Sequence, residues 1–489
     1  MDSIQIPPVD LRLLTPLLIV VSWASLLLLI DVFVIPEGRK KLTGYLAIAG
    51  LAVAGLAGIP LWNVSGSTFA GMLVLDRYSL SLTWIFLIAG ALSIAIALDY
   101  LPRHAIEQGE YYPLIMVAVA GMILMAQGTD LIVLFLGIEV LSITLYILTG
   151  FAYPRLTSEE AAMKYLVLGA FAAGFFVYGI ALIFGATGTT SLAGIAAYLG
   201  RQPFAPQAET LFLAGASLVL IGFSFKVALV PFHMWTPDVY EGSPTPVAAF
   251  MSVGTKGAAL AALLRFVAFA IEDARPFWLP VLATLAVATM VIGNLGALGQ
   301  SNVKRMLAYS SIGHAGYILL AIMVAVEGGA EAFLFYMLAY TLTNLGAFGV
   351  LIALEQRGEA AWSIDDFGGL YQRRPLLAVA MALFMFSLAG VPPTAGFMAK
   401  FFVFTTAYGG GLGWLALVGV LTSAIAAYYY LRVVVKMFMQ EPARELRPEL
   451  SQGLNLEIVI AGVATLILGL LPAPFVLLVE RSLSALGGG

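Results

Sequence analysis

From Leu11 to Leu478 the chain repeats one pattern: about twenty apolar residues in succession, then a short connector. A run of that length crosses the hydrocarbon core of a bilayer as a helix, because no water is present there to satisfy an unpaired backbone. Runs begin near Leu13, Leu42, Ser79, Tyr112, Leu131, Ala162, Leu211, Val247, Phe277, Val303, Ala332, Leu376, Leu412 and Leu456. The expectation is an all-α polytopic membrane protein with about fourteen transmembrane helices and no soluble domain. Composition agrees: 11% of residues are charged, where a soluble chain carries roughly a quarter. Asp2 and Asp10 stand where a cleavable signal would have a basic region, so the first run reads as a span. No cysteine is present, which excludes disulfides, thiolate metal sites and cysteine-ligated iron–sulfur clusters in this chain. Gly409–Gly413 reads as a turn between spans. No strand, Lys-Ser/Thr pair or downstream acid supports a phosphate cradle.

Basic residues orient the spans. When the connectors are numbered alternately, 15 of the 24 Lys and Arg fall on one side, and Arg12, Arg77, Arg201, Arg275 and Arg481 on the other. The richer side is cytoplasmic by the positive-inside rule, which puts both termini outside. Lys226, Lys256, Arg265 and Lys400 fall on neither side. Arg265 is near a helix end, where a long side chain can snorkel to the interface.

The other three lysines lie within apolar runs, where a charge costs about 2.5–3.5 kcal/mol on insertion scales. Glu139, in "LIVLFLGIEVLSITLYIL", is the acid that shares this character. Structural ion pairs are the plain alternative, but three cations against one acid fit it poorly. Intramembrane ionisable groups otherwise mark a transport pathway, and burial without a partner disfavours the charged form of an amine.

Two of the lysines lie close to prolines. Pro231 follows Lys226, and "GVPPTAGFMAKF" (390–401) carries Pro392 and Pro393 ahead of Lys400. A proline removes a helical donor, so Pro231 frees the carbonyl of Val227, and Pro392 and Pro393 free those of Leu388 and Ala389. Freed carbonyls at membrane depth must meet water or polar groups. An ordinary proline kink is the competing reading for each. The two breaks are 161 residues apart, and Pro113 and Pro276, each leading into a span, are 163 apart. Each offset covers five spans, and an odd number inverts the second unit. Two inverted five-helix repeats, each with a broken helix, are a transporter pattern. The expected division is 1–110 (an N-terminal three-helix segment), 111–273 (first repeat), 274–440 (second repeat) and 441–489 (a C-terminal helix).

"FKVALVPFHMWTPDVYEGSPTPVAAFMSVGTKGAAL" (225–260) and "SNVKRMLAYSSIGHAGYIL" (301–319) resemble the antiporter-like subunits of respiratory complex I, NADH-quinone oxidoreductase, and those of multisubunit cation/proton antiporters. "WTPDVYEG" and "GVPPTAGFMAKF" are most similar to the subunit N group, homologues of mitochondrial ND-two. Subunit M typically has a glutamate where Lys400 stands. Subunit L typically carries a long lateral helix at its C terminus, whereas this sequence stops soon after its last span. The resemblance covers nearly the whole chain, and its full set of spans looks bacterial. It implies proton translocation coupled to quinone reduction elsewhere in a complex. Glu139 and Lys226 match the family's ion pair, Lys256 its central lysine and Lys400 its terminal proton site. His314 lies in the stretch that typically links the last two. The resemblance further implies partner subunits M, K and J, with NAD, FMN, iron–sulfur clusters and quinone held by partners and no cofactor here. Lipids are expected neighbours, nucleic acid is not, and the implied location is the bacterial plasma membrane.

Rival readings are a multisubunit cation/proton antiporter subunit, a cytochrome-type quinone enzyme and a structural scaffold. The second needs paired intramembrane histidines, and of three histidines His314 alone sits clearly in a span. The third leaves the buried lysines without a reason.

Overall fold

The structure, a computed structural model, describes residues 9–201, 206–356, 362–441 and 451–483. Asp2, which argues against a cleavable signal, and Arg357, Arg444 and Arg447, three of the fifteen basic residues on the richer side, lie outside the described residues. The chain opens with α1 (Thr15–Phe33) and α2 (Lys41–Gly58). A two-stranded antiparallel hairpin follows, β1 (Gly66–Thr68) and β2 (Leu73–Leu75). This short hairpin lies in the connector between α2 and the next helix of an otherwise helical fold. Its Leu73 and Leu75 alternate inward around Val74, the two-residue period of a strand.

Next come α3 (Arg77–Arg103), α4 (Tyr111–Gln127), α5 (Leu131–Thr149), α6 (Leu156–Thr187), the short α7 (Leu192–Leu199), α8 (Pro206–Val227), the short α9 (Trp235–Gly242) and α10 (Thr245–Arg265). The second half contains α11 (Arg275–Leu298), α12 (Val303–Met323), α13 (Ala330–Leu354), the one-turn α14 (Leu370–Arg373), α15 (Pro375–Ala389), α16 (Ala395–Gly409) and α17 (Gly413–Met439). It ends with α18 (Gln452–Leu470) and α19 (Ala473–Leu483). Among the described residues, twelve helical stretches are long and apolar enough to cross a membrane, and α4 and α15 are shorter apolar helices. Each expected run start lies in or beside one of these fourteen segments.

Burial separates centre from rim. Every residue of α10 is buried, and α12 and α13 are nearly so. By contrast, α5 exposes Ile132, Leu136, Val140, Ile143 and Ile147 along one stripe at helical spacing. In water such a stripe would drive aggregation, whereas acyl chains are its natural solvent. Helix pairs close up where small residues meet. A Cβ added at Gly179 of α6 would lie 2.7 Å from the Gly215 carbonyl of α8, and one at Gly293 of α11 would lie 2.6 Å from the Gly313 nitrogen of α12. This is how membrane helices gain contact area without a hydrophobic driving force.

Two helices are interrupted, at the prolines. α8 stops at Val227 and α9 starts at Trp235, with Ala228 in the left-handed region (φ 65°). α15 stops at Ala389 and α16 starts at Ala395, with Gly390 left-handed (φ 88°). The Val230–Pro231 and Pro392–Pro393 peptides are cis.

Candidate functional site

The second break shows where freed backbone groups go. The last carbonyls of a helix have no partner within it. Gly390 N donates to Phe386 and Ser387, and Val391 N again to Phe386. Leu388 and Ala389 are left, and the Lys400 ammonium reaches back from α16 to both, at 2.9 and 3.0 Å. Its third donor goes to Ser423 Oγ of α17 at 2.7 Å. The side chain is 4% exposed and its ammonium lies 5.1 Å from the Tyr317 ring centre. The carbonyl end of α15 carries the negative end of the helix dipole, which suits a cation.

Lys226 likewise sits in the last turn of α8. Its ammonium donates to Ser142 Oγ at 2.8 Å and Tyr165 OH at 2.9 Å. The expected ion pair with Glu139 is not made. Glu139 and Lys226 line the same small cavity between α5, α6 and α8, but the two hydroxyls take the ammonium. Ser142 lies three residues after Glu139 on α5, so it occupies the same face and intercepts Lys226. The freed carbonyls of this break are not met by Lys226 either. Trp235 Nε1 donates to Phe225 O, and Thr289 of α11 accepts from Val230 N.

Lys256 is 2% exposed at the centre of α10 and donates to Ser311 Oγ of α12 at 2.6 Å. Three residues further along α12, His314 is held between two phenols: Nδ1 meets Tyr336 OH at 2.6 Å and Nε2 meets Tyr430 OH at 3.1 Å. Tyr430 also bonds Ser310. A small cavity beside His314 is lined by Tyr340, Thr343, Ser387 and Leu388, whose carbonyl holds Lys400. The order is therefore Lys256, Ser311, His314, cavity, Lys400. Hydroxyl and imidazole groups both donate and accept; Ser311 and His314 are one turn apart on α12 and are not bonded to each other, so a proton would cross between them only through a water or a side-chain movement. His233 is half-buried within the first break, and His104 lies in a connector.

The motif "WTPDVYEG" forms α9 and ties the first break to α6 and α12. Asp238 pairs with Lys164 of α6 and Arg305 of α12, each at 2.8 Å, and Glu241 pairs with Arg305 at 2.7 Å.

Several buried charges escaped the sequence reading. Arg265 does not snorkel: it is 3% exposed and grips Asp76 with two bonds of 2.9 and 2.8 Å. Lys304, one of the fifteen basic residues counted on the richer side by the connector pattern, is fully buried on α12 and donates to Ser243 O at 2.7 Å. Glu355 accepts from Thr245 Oγ1 and Trp362 Nε1, both at 2.6 Å. Glu457, in the first turns of α18, is 1% exposed and has no hydrogen-bond partner among the described residues. All four sit within about two turns of a helix end, where hydropathy alone cannot separate a wet charge from a buried one.

Residues 128–426 match the family described as NADH:quinone oxidoreductase/Mrp antiporter, TM. Over 489 residues, all of both chains, the sequence is 72% identical to NADH-quinone oxidoreductase subunit N of Chloroflexus aggregans. A chain in the structure of respiratory complex I from Thermus thermophilus with bound aureothin superposes with a TM-score of 0.80 at 36% identity, covering 94% of this chain and 98% of that one. A chain of the Mrp complex from Dietzia sp. has the same fold, with a TM-score of 0.85 at 23% identity and 98% coverage of both.

Proposed function

The chain belongs to the subunit N family of NADH-quinone oxidoreductase, and on that premise we propose that its proton path runs through Glu139, Lys226, Lys256, His314 and Lys400. The protein is a proton-translocating membrane subunit of this translocase, and other subunits of respiratory complex I are its partners. Among those we assign subunits M, K and J as neighbours. NAD, FMN, iron–sulfur clusters and quinone belong to partner subunits in this reading. The setting is the bacterial plasma membrane with both termini outside, and segments 111–273 and 274–440 act as inverted repeats.

One observation carries the reading. Each of the three lysines is 2–4% exposed, and each ammonium is held by hydroxyls or carbonyls, not by a carboxylate. Hydroxyls and carbonyls stabilise an ammonium less than an ion pair does, so the proton on each is conditional. Charge on one lysine then acts on the next. When Lys226 is close to Glu139, its field on Lys256 is partly balanced. When Lys226 turns to Ser142 and Tyr165, Lys256 feels more positive charge. It passes its proton through Ser311 and His314 to Lys400, which releases it outward. Glu139 and Lys226 line one small cavity, so the two arrangements differ in which of its lining groups meets the ammonium.

Replacement of Lys256 tests this reading. In the intact complex in sealed vesicles, Lys256→Ala should leave assembly unchanged and reduce proton pumping and coupled quinone reduction. Normal pumping by a correctly assembled variant would overturn the relay.

A further inference from the structure

α18 packs against α3, α13, α15 and α16, and one face of it forms a broken polar track. On its cytoplasmic first turn, a Cβ on Gly453 would lie 3.3 Å from the Ala95 carbonyl and 3.9 Å from the Asp99 carboxylate of α3. Asp99 pairs with Lys41, and both are partly exposed. One turn further in, on the same face, is Glu457. Its carboxyl lies over Gly349 of α13, where an added Cβ would come within 2.3 Å of Oε2. Only a glycine leaves that niche open. Burying an ionised carboxylate with neither cation nor donor is costly, so a group placed there must be reached by a proton or by water.

Two turns beyond, Thr465 Oγ1 meets Thr343 Oγ1 at 3.3 Å, and Thr343 meets Ser387 Oγ at 3.1 Å. Thr343 and Ser387 line the cavity beside His314 and Leu388. The outer end of α18 then abuts the second break: a Cβ on Gly469 would lie 2.3 Å from the Pro393 carbonyl. Between Glu457 and Thr465 the helix rises about 12 Å without a polar side chain on this face. The Phe384 ring fills that interval, against Gly346 of α13 and near Gly462 of α18.

We propose that Glu457 is a proton-loading carboxyl on a cytoplasmic uptake branch that follows α18 to the terminal site. The proposal rests on the proton-path reading above. Glu457 takes a proton from cytoplasmic water near Asp99. When Phe384 swings aside and water bridges the interval, the proton passes through Thr465, Thr343 and Ser387 to the cavity of His314 and on toward Lys400. The carboxylate left behind is reprotonated from the cytoplasmic side. The Phe384 ring keeps the two ends apart at other times, which prevents a leak.

The test uses the intact complex in sealed vesicles, with proton pumping and NADH oxidation measured together. Glu457→Gln keeps the shape and removes the titration, so pumping should fall by at least about tenfold, in the range of a lost acid–base group. Glu457→Asp, which still titrates, should recover part of it. Thr465→Val, isosteric without the hydroxyl, should lose pumping like Glu457→Gln, and it carries the test if that variant does not assemble. Normal pumping by either assembled variant overturns the branch. Lys256→Ala measured alongside separates the failures: loss there with normal Glu457→Gln refutes the α18 branch alone, and normal pumping in both refutes the proton path itself.

Discussion

The Lys400 ammonium lies 2.9 Å from the carbonyl oxygen of Leu388, twelve residues earlier and across a helix break. The break and the lysine are one device. Pro392 lacks the amide that would have paired with Leu388, and Lys400 supplies the missing donor. Lys400→Ala removes a donor from Leu388, Ala389 and Ser423 at once. Ala389 keeps Ser423 as a donor, whereas the Leu388 carbonyl is left without a partner, at about 1–3 kcal/mol, so this variant should lower the complex's thermal stability as well as proton release. Lys400→Glu should be milder in pumping, because a protonated carboxyl still donates one bond to these carbonyls and still carries a proton. Equal pumping loss in the two variants would contradict this.

The break and its partner were legible in the sequence because covalent facts set them. Proline has no amide, and the i−4 rule names the orphaned carbonyls. The Lys226–Ser142 contact was not legible, because it depends on how α5 and α8 rotate against each other, and hydropathy does not encode rotation. Glu457 was missed for a related reason. It stands one residue inside the last apolar run, and only packing against Gly349 decides that it faces protein.

Glu139 and Lys226 provide a second prediction. Removing one member of a buried ion pair costs about 3–5 kcal/mol. Here the lysine is already satisfied by Ser142 and Tyr165. Glu139→Gln should therefore cost well under that in thermal stability while still reducing pumping, because it removes the charge that balances Lys226. Ser142→Ala should cost more in stability than Glu139→Gln, since it leaves a buried ammonium one bond short. The reverse order would show that the ion pair dominates.

His314 offers a third. Tyr430 OH touches both Ser310 and His314 Nε2, while Tyr336 OH holds Nδ1. Tyr430→Phe removes one hydroxyl and little volume. Pumping should fall several-fold through loss of an exchangeable donor and acceptor, with assembly kept. His314→Phe should lose more, since Tyr336 then lacks its partner and Tyr430 keeps Ser310. A Tyr430→Phe complex that pumps normally, with His314→Phe impaired, would route the proton through Tyr336 alone.

Arg265 and Asp76 supply the structural control. They form a buried two-bond pair far from the break residues in sequence, and Asp76 Oδ1 also accepts from Ser79 N to cap α3. Arg265→Met strands a buried carboxylate, at about 3–5 kcal/mol. Asp76→Asn keeps an oxygen for the cap but strands the guanidinium, so it should cost a similar amount. The double variant leaves neither charge unpaired and should recover much of the loss, giving a coupling energy of the sign expected for contacting residues. Thermal inactivation of the assembled complex measures all three. Pumping per assembled complex should stay normal throughout, because neither side chain touches the line from Lys256 to Lys400. A pumping defect in the double variant, with stability restored, would instead put this pair in the proton path.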